Sequence, residues 1–258
     1  MTAASPPHGD IILATRGLSK AFGGLKAVSD VDLQVRRGTI HAMIGPNGAG
    51  KTTCFNLLTK FLAPTDGSII FDGCDITHQR PDQIARQGLV RSFQISAVFS
   101  GLSALANVRI ALQRKRGASF AFWRSEETLR PLNDAAMQLL DTVGLADVAA
   151  TPAAELAYGH KRALELATTL ALDPKMMLLD EPMAGMGRED LARIEAVIRK
   201  AAVNRTILMV EHNLSVVAAL SDRITVLARG RVLADGDYQT VSQNPAVVEA
   251  YIGSARHD

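Results

Sequence analysis

The sequence predicts an α/β fold with an open, largely parallel sheet and a helical insert. Two apolar-rich runs, residues 176–179 and Thr206–Val210, are typical of strands that are buried on both faces of a parallel sheet. A third apolar run, Ile40–Ile44, is followed directly by residues 45–52, which have the form G-x-x-x-x-G-K-T. Between residues 95 and 154 the apolar positions instead recur every three or four residues, as in amphipathic helices.

The motif at residues 45–52 predicts a phosphate-binding loop. Its glycines let the backbone wrap an anion closely, with N–H groups pointing inward. Lys51 is expected to reach the β and γ phosphates of a nucleotide, and Thr52 to offer its hydroxyl to magnesium. A helix expected from about Lys51 adds the positive end of its dipole. A Gly-rich turn that binds no phosphate is the alternative for glycines alone, and Gly-Lys-Thr behind a strand disfavours it.

Length and composition bound the class of protein. The 258 residues allow one or two domains, and 47% hydrophobic with 21% charged residues are typical of a globular protein. A net charge of +2 does not indicate nucleic acid or an anionic membrane surface as a partner. The sequence has neither an apolar run of roughly 20 residues nor a secretory signal, so we expect a soluble or peripheral protein. Cys54 and Cys74 form no C-x-x-C pair and are expected to be reduced and structural.

The first part of the chain is expected to form a small antiparallel sheet. Residues 1–10 resemble a disordered tail, residues 11–14 begin a strand, and alternating apolar and polar residues over 31–36 predict a half-buried strand. Residues 20–24 between them predict a turn with Phe22 at its edge. An aromatic ring there either stacks on a nucleobase or covers the small sheet, and the sequence leaves both open.

The segment after the phosphate loop predicts alternating short strands and helices. Residues 69–73 predict a strand and a tight turn, and Pro81–Gln87 a short helix. Residues 89–93 predict a strand that delivers Gln94 at its end. A glutamine at this edge of an α/β sheet can bind magnesium or hold a water, and a loop-forming polar residue is the alternative.

The helical insert is predicted to contain two amphipathic helices, at residues 104–112 and about 129–143. Residues 115–124 between them mix basic and aromatic side chains. A solvated connection is favoured over contact with a membrane or a partner, because the run is short. Residues 156–162 then open a further helix that runs to about Leu172.

Acidic residues and a histidine follow the two buried strands. Asp180 and Glu181 come after one strand, and His212 comes shortly after the other. Because parallel strands present their carboxyl ends at the ligand-binding edge of a sheet, we expect these side chains beside the phosphate loop. Taken singly, the acidic pair could form a turn with a helix cap, and His212 could be an ordinary loop residue. The remaining elements are a helix, a hairpin and a terminal helix, predicted at Arg188–Ala202, 224–234 and 247–252.

The order of these motifs across nearly the whole chain resembles the ATP-binding subunits of ABC transporters. Within that family the chain looks most like the ATPase subunits of branched-chain amino acid importers, because of residues 156–159, 180–186 and 244–253. The resemblance implies a RecA-like P-loop ATPase core with an N-terminal antiparallel β subdomain and an inserted helical subdomain. The implied division gives the core and β subdomain residues 11–94 and 156–258, and the helical subdomain residues 95–155.

The resemblance also implies a role for each motif residue within one protomer. Phe22 would stack on adenine, Glu181 would be the general base that aligns the attacking water, and His212 would contact the γ-phosphate. Mg²⁺ would be held by Thr52, Gln94 and, through water, Asp180. The phosphates would be held by Gly45, Pro46, Asn47, Gly48, Ala49, Gly50, Lys51, Thr52 and Thr53.

A further motif would act across a head-to-tail dimer, at the γ-phosphate of ATP bound to the other protomer. Its residues are Ala157, Tyr158, Gly159 and His160. The family usually has Ser at 157, Gln at 160 and Asp at 187, where this chain has Ala157, His160 and Gly187. The loss of the serine hydroxyl leaves backbone N–H groups at a helix start to bind the anion.

The implied function is hydrolysis of ATP with Mg²⁺ to power solute movement by integral-membrane permease subunits, at the cytoplasmic face of the inner membrane. The partners would include a second ATPase subunit, identical or not, and indirectly a substrate-binding protein, but no nucleic acid. Branched-chain or similar amino acids are the expected cargo, with urea, amides or aromatic acids as alternatives. A soluble ABC ATPase that acts on ribosomes or DNA is disfavoured by the single phosphate loop and the lack of a heptad run. A GTPase is disfavoured because the Asn-Lys-x-Asp guanine motif is missing.

Overall fold

The computed structural model describes residues 11–92, 98–115 and 132–254. The strands are β1 (Ile11–Phe22), β2 (Leu25–Val31), β3 (Gln34–Arg36), β4 (Ile40–Ile44), β5 (Asp66–Phe71), β6 (Cys74–Asp75), β7 (Leu89–Arg91), β8 (Met176–Asp180), β9 (Thr206–Val210), β10 (Arg223–Ala228) and β11 (Arg231–Gly236). The helices are α1 (Lys51–Leu58), α2 (Pro81–Gln87), α3 (Ala104–Lys115), α4 (Asn133–Thr142), α5 (Tyr158–Ala171), α6 (Arg188–Ala202), α7 (Leu214–Leu220), α8 (Tyr238–Ser242) and α9 (Pro245–Ser254).

The N-terminal strands form the predicted antiparallel sheet, in the order β2-β1-β5-β6 with β3 also paired to β1. The expected turn at residues 20–24 was wrong in extent, because β1 continues to Phe22 and pairs there with Leu25 of β2. The alternation over residues 31–36 is confirmed by alternating burial, but it spans the end of β2 and the separate strand β3 rather than one strand. The two strands pair with different lengths of β1, β2 with residues 18–22 and β3 with residues 11–14.

The second sheet has the order β11-β10-β4-β9-β8-β7. Among the described strands, all neighbours from β10 to β7 are parallel, and the edge strand β11 is antiparallel to β10. The buried strands expected at β8 and β9 are therefore confirmed. The predicted closing hairpin forms, and no local pattern indicated that its first strand, β10, extends the parallel sheet beside β4.

The parallel sheet is buried between two apolar layers, and alternate residues of its strands face opposite layers. Met177 and Leu179 of β8 pack with the helices α3 to α7, whereas Met176 and Leu178 pack with α1 and the antiparallel sheet. This burial on both faces explains why the strand is a continuous apolar run.

Capping residues set several helix boundaries. Pro81 occupies the first turn of α2, and Gly88 ends that helix with a φ of +102°. Asn213 and Asp237 accept backbone N–H groups at the starts of α7 and α8. These two short helices were not predicted, although both begin at favourable capping residues.

Some predictions lie wholly or largely outside the described residues, namely the tail at 1–10, Gln94 and the stretch at 115–124. The division into a core and a helical subdomain stays a prediction. Both cysteines are free: Cys54 is buried as expected, whereas Cys74 is exposed and belongs to neither apolar cluster. Within the described ranges, no helix is both long and apolar enough to cross a membrane.

Candidate nucleotide site

The phosphate loop needs glycine at three positions for two different reasons. Gly45, Gly48 and Gly50 have φ values of +151°, +74° and +100°, which L side chains rarely adopt. A Cβ at Gly45 would lie 2.1 Å from the carbonyl oxygen of Leu227, and one at Gly50 would lie 2.6 Å from that of Ala27. A Cβ at Gly48 would meet nothing within 4 Å. The loop is therefore packed against neighbouring strands at its two ends and open at its middle.

Lys51 begins α1 and folds back over the loop. Its Nζ donates to the carbonyl oxygens of Gly45, at 2.6 Å, and Pro46, at 3.0 Å. Burial lowers the pKa of Lys51, and the nearby carboxylates of Glu181 and Asp180 oppose that change. The structure thus brings the loop lysine and the acidic pair together at one edge of the parallel sheet, as the sequence predicted.

The other loop residues differ in exposure. Ala49 is buried, its N–H donates to the Pro46 carbonyl and its own carbonyl accepts from Gly230. Asn47 and Thr52 are exposed, and Thr53 is half-buried. The hydroxyl of Thr52 at the start of α1 is therefore accessible to a ligand.

Asp180 ends β8 and is held by Arg91 of the neighbouring strand. Arg91 Nη2 lies 2.5 Å from Asp180 Oδ2, and Arg91 Nη1 lies 2.6 Å from Asn56 Oδ1 on α1. The side chains of the ion pair are only 14% and 17% exposed. Sequence reasoning missed Arg91, and the available signal was a single charged residue inside an apolar strand.

Glu181 and His212 project from the ends of neighbouring strands. Glu181 has a left-handed backbone, with φ of +46°, and its N–H donates to Val210 at 3.0 Å. His212 Nδ1 lies 3.8 Å from Glu181 Oε1. Their side chains are 46% and 62% exposed, so both can reach a ligand at this edge.

Phe22 lies at the tip of the β1–β2 hairpin and is 48% exposed. Lys20 Nζ lies 5.3 Å from the centroid of its ring. Farther along the same hairpin, Ala27 packs against Gly50 of the phosphate loop. The exposed ring is therefore at the tip of a hairpin whose second strand touches the loop, which favours stacking on a base over covering the small sheet.

Residues 157–160 begin α5 at a different place. Ala157 is the exposed N-cap, and Tyr158 Oη donates to the carbonyl of Ala184 at 3.0 Å. A Cβ on Gly159 would lie 2.2 Å from Asp190 Oδ1, so a larger residue here would displace that carboxylate. Across the described part of the chain, no hydrogen bond or ion pair joins this stretch to the phosphate loop.

His160 lies half-buried in the first turn of α5. In the same helix, Arg162 links Tyr158 to the buried carboxylate of Glu165. Arg162 Nη2 donates to Tyr158 Oη at 3.2 Å, and Nη1 lies 3.0 Å from Glu165 Oε2. Burial raises the pKa of Glu165, and its bond to Arg162 opposes the rise. Sequence reasoning missed this pair.

The C-terminal helix also contacts the phosphate loop. Burial raises the pKa of Tyr251, and the nearby backbone of Gly45 opposes the rise. Helix α9 therefore lies close to the first residue of the loop. Its Tyr251 belongs to residues 244–253, the segment that resembles the ATPase subunits of branched-chain amino acid importers.

An apolar cleft of about 660 Å³ opens between α2, β7, α3 and α5. Its mostly apolar lining includes Phe61, Leu89, Arg91, Phe99, Leu102 and Glu165. Arg91 thus lines the cleft and also binds Asp180.

The donor set at the loop fits magnesium only together with a nucleotide. Within residues 11–92, 98–115 and 132–254, no group of three or more His, Cys, Asp or Glu side chains could hold a metal ion. Mg²⁺ is usually bound through one or two protein oxygens plus substrate phosphates. Thr52 and Asp180 supply oxygen donors of that kind.

Comparison with family models finds two matches. Residues 28–184 match the ABC transporter family, and residues 231–257 match the C-terminal domain family described as branched-chain amino acid ATP-binding cassette transporter. The second match covers α9 and its Tyr251.

Several curated proteins are similar over nearly the full chain. The high-affinity branched-chain amino acid transport ATP-binding protein BraF of Pseudomonas aeruginosa is 40% identical over 254 residues, covering 95% of this chain and 98% of BraF. The corresponding LivG protein of Escherichia coli is 37% identical over 251 residues, with coverage of 95% and 98%.

Solved structures agree with this fold. The ADP conformation of MJ1267, an ATP-binding cassette of an ABC transporter, superposes with a TM-score of 0.81 at 30% identity, covering 94% of this chain and 99% of that chain. The cbiO1 protein of Clostridium perfringens, part of the ABC transporter complex cbiONQ, gives 0.77 at 25% identity, with coverage of 96% and 100%.

Proposed function

The chain belongs to the ABC transporter family, and from this premise we propose that it is the ATPase subunit that powers import of branched-chain or similar amino acids by separate membrane permease subunits. The observation that carries the choice of cargo is the match of residues 231–257 to the branched-chain family model. The segment that carries this match lies beside the site, because Tyr251 is close to the backbone of Gly45 in the phosphate loop.

The positions of the site residues at the sheet edge support the following roles in ATP binding and hydrolysis. The loop N–H groups and Lys51 hold the phosphates, and Phe22 stacks on the adenine. Glu181 orients the attacking water and accepts its proton, while His212 contacts the γ-phosphate. Such positioning and charge stabilisation make up most of phosphoryl-transfer catalysis, and a single base contributes about 10² to 10⁴ in rate.

Magnesium would be held by Thr52, Gln94 and, through water, Asp180. When bound, it neutralises charge that develops on the β and γ phosphates. The protein's own part is to keep the Asp180 carboxylate in place, which Arg91 does through their buried ion pair.

A second ATPase subunit completes the site. In this chain the exposed start of α5 is not joined to its own phosphate loop, so residues 157–160 are free to meet ATP on a partner. Two protomers arranged head to tail would each place these backbone N–H groups on the other's γ-phosphate.

The permease contact is assigned to the apolar cleft, at the cytoplasmic face of the membrane. We expect the contact near residues 94–107 of the helical insert, where Phe99 and Leu102 line this cleft and are exposed. Exposed apolar patches of this kind mark protein interaction sites. Closure around ATP can then be passed to the membrane subunits as a two-state movement.

Uptake in a gene-deletion strain tests the assignment. Micromolar radiolabelled leucine, valine and urea are supplied, and the deletion strain is complemented with the wild-type chain or with Glu181→Gln. Leucine and valine uptake should be lost on deletion and restored only by the wild type. Loss of urea uptake alone would overturn the amino acid assignment and leave the ATPase assignment intact.

A further inference from the structure

We propose that Glu211 is a positioning residue that fixes the spacing between Glu181 and His212. The proposal rests on the proposed function, because it takes these two side chains as the hydrolytic pair. Glu211 itself is buried behind the sheet edge, with 1% exposure, so it acts on ATP only through the loops that it holds.

The carboxylate of Glu211 bonds to both loops that carry the pair. Its Oε1 accepts the N–H of Met183, two residues after Glu181, at 3.2 Å. Its Oε2 accepts the N–H of His212 at 3.2 Å. One side chain therefore bridges the chain segments that leave β8 and β9.

The backbone at Glu181 explains why such a bridge is needed. A left-handed conformation at a residue other than glycine costs roughly 1–3 kcal/mol and persists only where its surroundings enforce it. At Glu181, which has a φ of +46°, backbone hydrogen bonds of this residue and of the loop that follows it hold the conformation. The Glu181 N–H donates to the carbonyl of Val210, and the Glu181 carbonyl accepts the N–H of Ala184. Between these two residues, the N–H of Met183 donates to Glu211.

The exposed side chains cannot fix their own spacing. Glu181 and His212 are 46% and 62% exposed, and the 3.8 Å between them is long for a hydrogen bond. Their relative position is therefore set by the backbone beneath them. Burying a carboxylate costs free energy unless it is hydrogen-bonded, and Glu211 meets this condition with both oxygens.

Two variants separate this role from general destabilisation. Glu211→Gln keeps the shape of the side chain but has a single acceptor oxygen, so one of the two N–H groups loses its partner. Glu211→Ala loses both bonds. We expect kcat for ATP to fall roughly 10-fold in the first variant and roughly 100-fold in the second, because a displacement of about 1 Å can cost 10² in rate. KM for ATP should stay unchanged, because the phosphate loop and Phe22 are untouched.

The measurement is steady-state ATP hydrolysis by the transporter complex purified from membranes, with thermal unfolding of each variant and Glu249→Gln as an exposed charge-matched control. The proposal predicts graded kcat loss at constant KM in the two Glu211 variants and wild-type values for the control. Wild-type kcat in Glu211→Gln, or a rise in KM that accounts for the loss, would overturn it.

Should Glu211→Ala not fold, Glu211→Gln alone decides. Failure of the proposed function would look different, since the wild-type complex itself would not hydrolyse ATP.

Discussion

Arg91 and Asp180 form an ion pair across neighbouring strands, with Nη2 and Oδ2 2.5 Å apart and both side chains more than 80% buried. The same guanidinium binds Asn56 on the helix that follows the phosphate loop, and it lines the apolar cleft. One side chain therefore contacts the acidic strand end, the phosphate-loop helix and the proposed permease surface.

Breaking this pair should destabilise the fold. Arg91→Met leaves the Asp180 carboxylate buried without its partner, which we expect to cost about 3 kcal/mol in the free energy of unfolding. Asp180→Asn should also destabilise, and the double variant should cost less than the two single changes together. Urea unfolding of all three variants measures the coupling. Strict additivity would show that the ion pair has no role, and Arg80→Met, which removes an exposed pair with Asp82, should leave the midpoint unchanged.

Two loop glycines should differ sharply on substitution. Gly45→Ala places a Cβ 2.1 Å from a backbone oxygen, so the loop or β10 must move. Gly48→Ala meets no atom within 4 Å and carries only the left-handed backbone penalty of about 1–2 kcal/mol. Thermal unfolding of the two proteins should therefore show a much larger loss for Gly45→Ala. Equal losses would mean that backbone conformation alone, without packing, requires the glycines.

Buried His41 should make stability fall at acid pH. Its Nε2 lies 2.7 Å from Thr225 Oγ1 in the parallel sheet, and burial lowers the pKa of His41 to about 4 against the opposing charge of Asp235. As pH falls from 6.5 to 4, His41 becomes protonated in the unfolded chain but stays neutral in the folded chain. The free energy of unfolding therefore decreases as pH falls through this window, by roughly 3 kcal/mol.

His41→Gln removes this titration while keeping a polar group near Thr225. Urea unfolding at several pH values should show a shallower slope for the variant between pH 4 and 6.5, whatever its stability at pH 7. Parallel curves for the two proteins would contradict the assignment of this slope to His41.

Two variants that have the same shape and differ only in charge test whether residues 157–160 act across a dimer. Ala157 is an exposed N-cap without a side-chain hydrogen bond, and both Asp and Asn are good capping residues. Ala157→Asp should therefore fold well but repel the γ-phosphate on the partner, whereas Ala157→Asn should not. Ala157→Asp tests this more directly than Gly159→Asp, which would also displace the Asp190 carboxylate of its own chain.

A dimer of one Ala157→Asp chain and one Lys51→Ala chain has two composite ATP sites. Both substitutions fall at one of these sites, so the other site has neither and should bind ATP. ATP-dependent dimerisation, followed by size-exclusion chromatography, should be greater in the mixture than for either variant alone. No gain on mixing would show that this stretch does not act in trans.

The sequence predicted what depends on local pattern and motif spacing. The apolar runs located β8 and β9, and the phosphate-loop motif located Lys51 at a helix start, because each signal is contained in a few adjacent residues. The parallel pairing of β10 with β4 has no such local signature. The bond of Arg91 to Asp180, 89 residues apart, and the proximity of Tyr251 to Gly45 arise only from the folded chain.

The central claim is that Glu181 is the hydrolytic base of an ATPase whose nucleotide is bound by Lys51. The direct measurement is ATP binding and single-turnover hydrolysis by the transporter complex that contains wild type, Glu181→Gln or Lys51→Ala. The claim predicts that Glu181→Gln binds ATP as the wild type does, loses at least about 10²-fold in the hydrolysis rate and accumulates ATP-bound dimers, whereas Lys51→Ala loses binding itself. Hydrolysis by Glu181→Gln at the wild-type rate would contradict it.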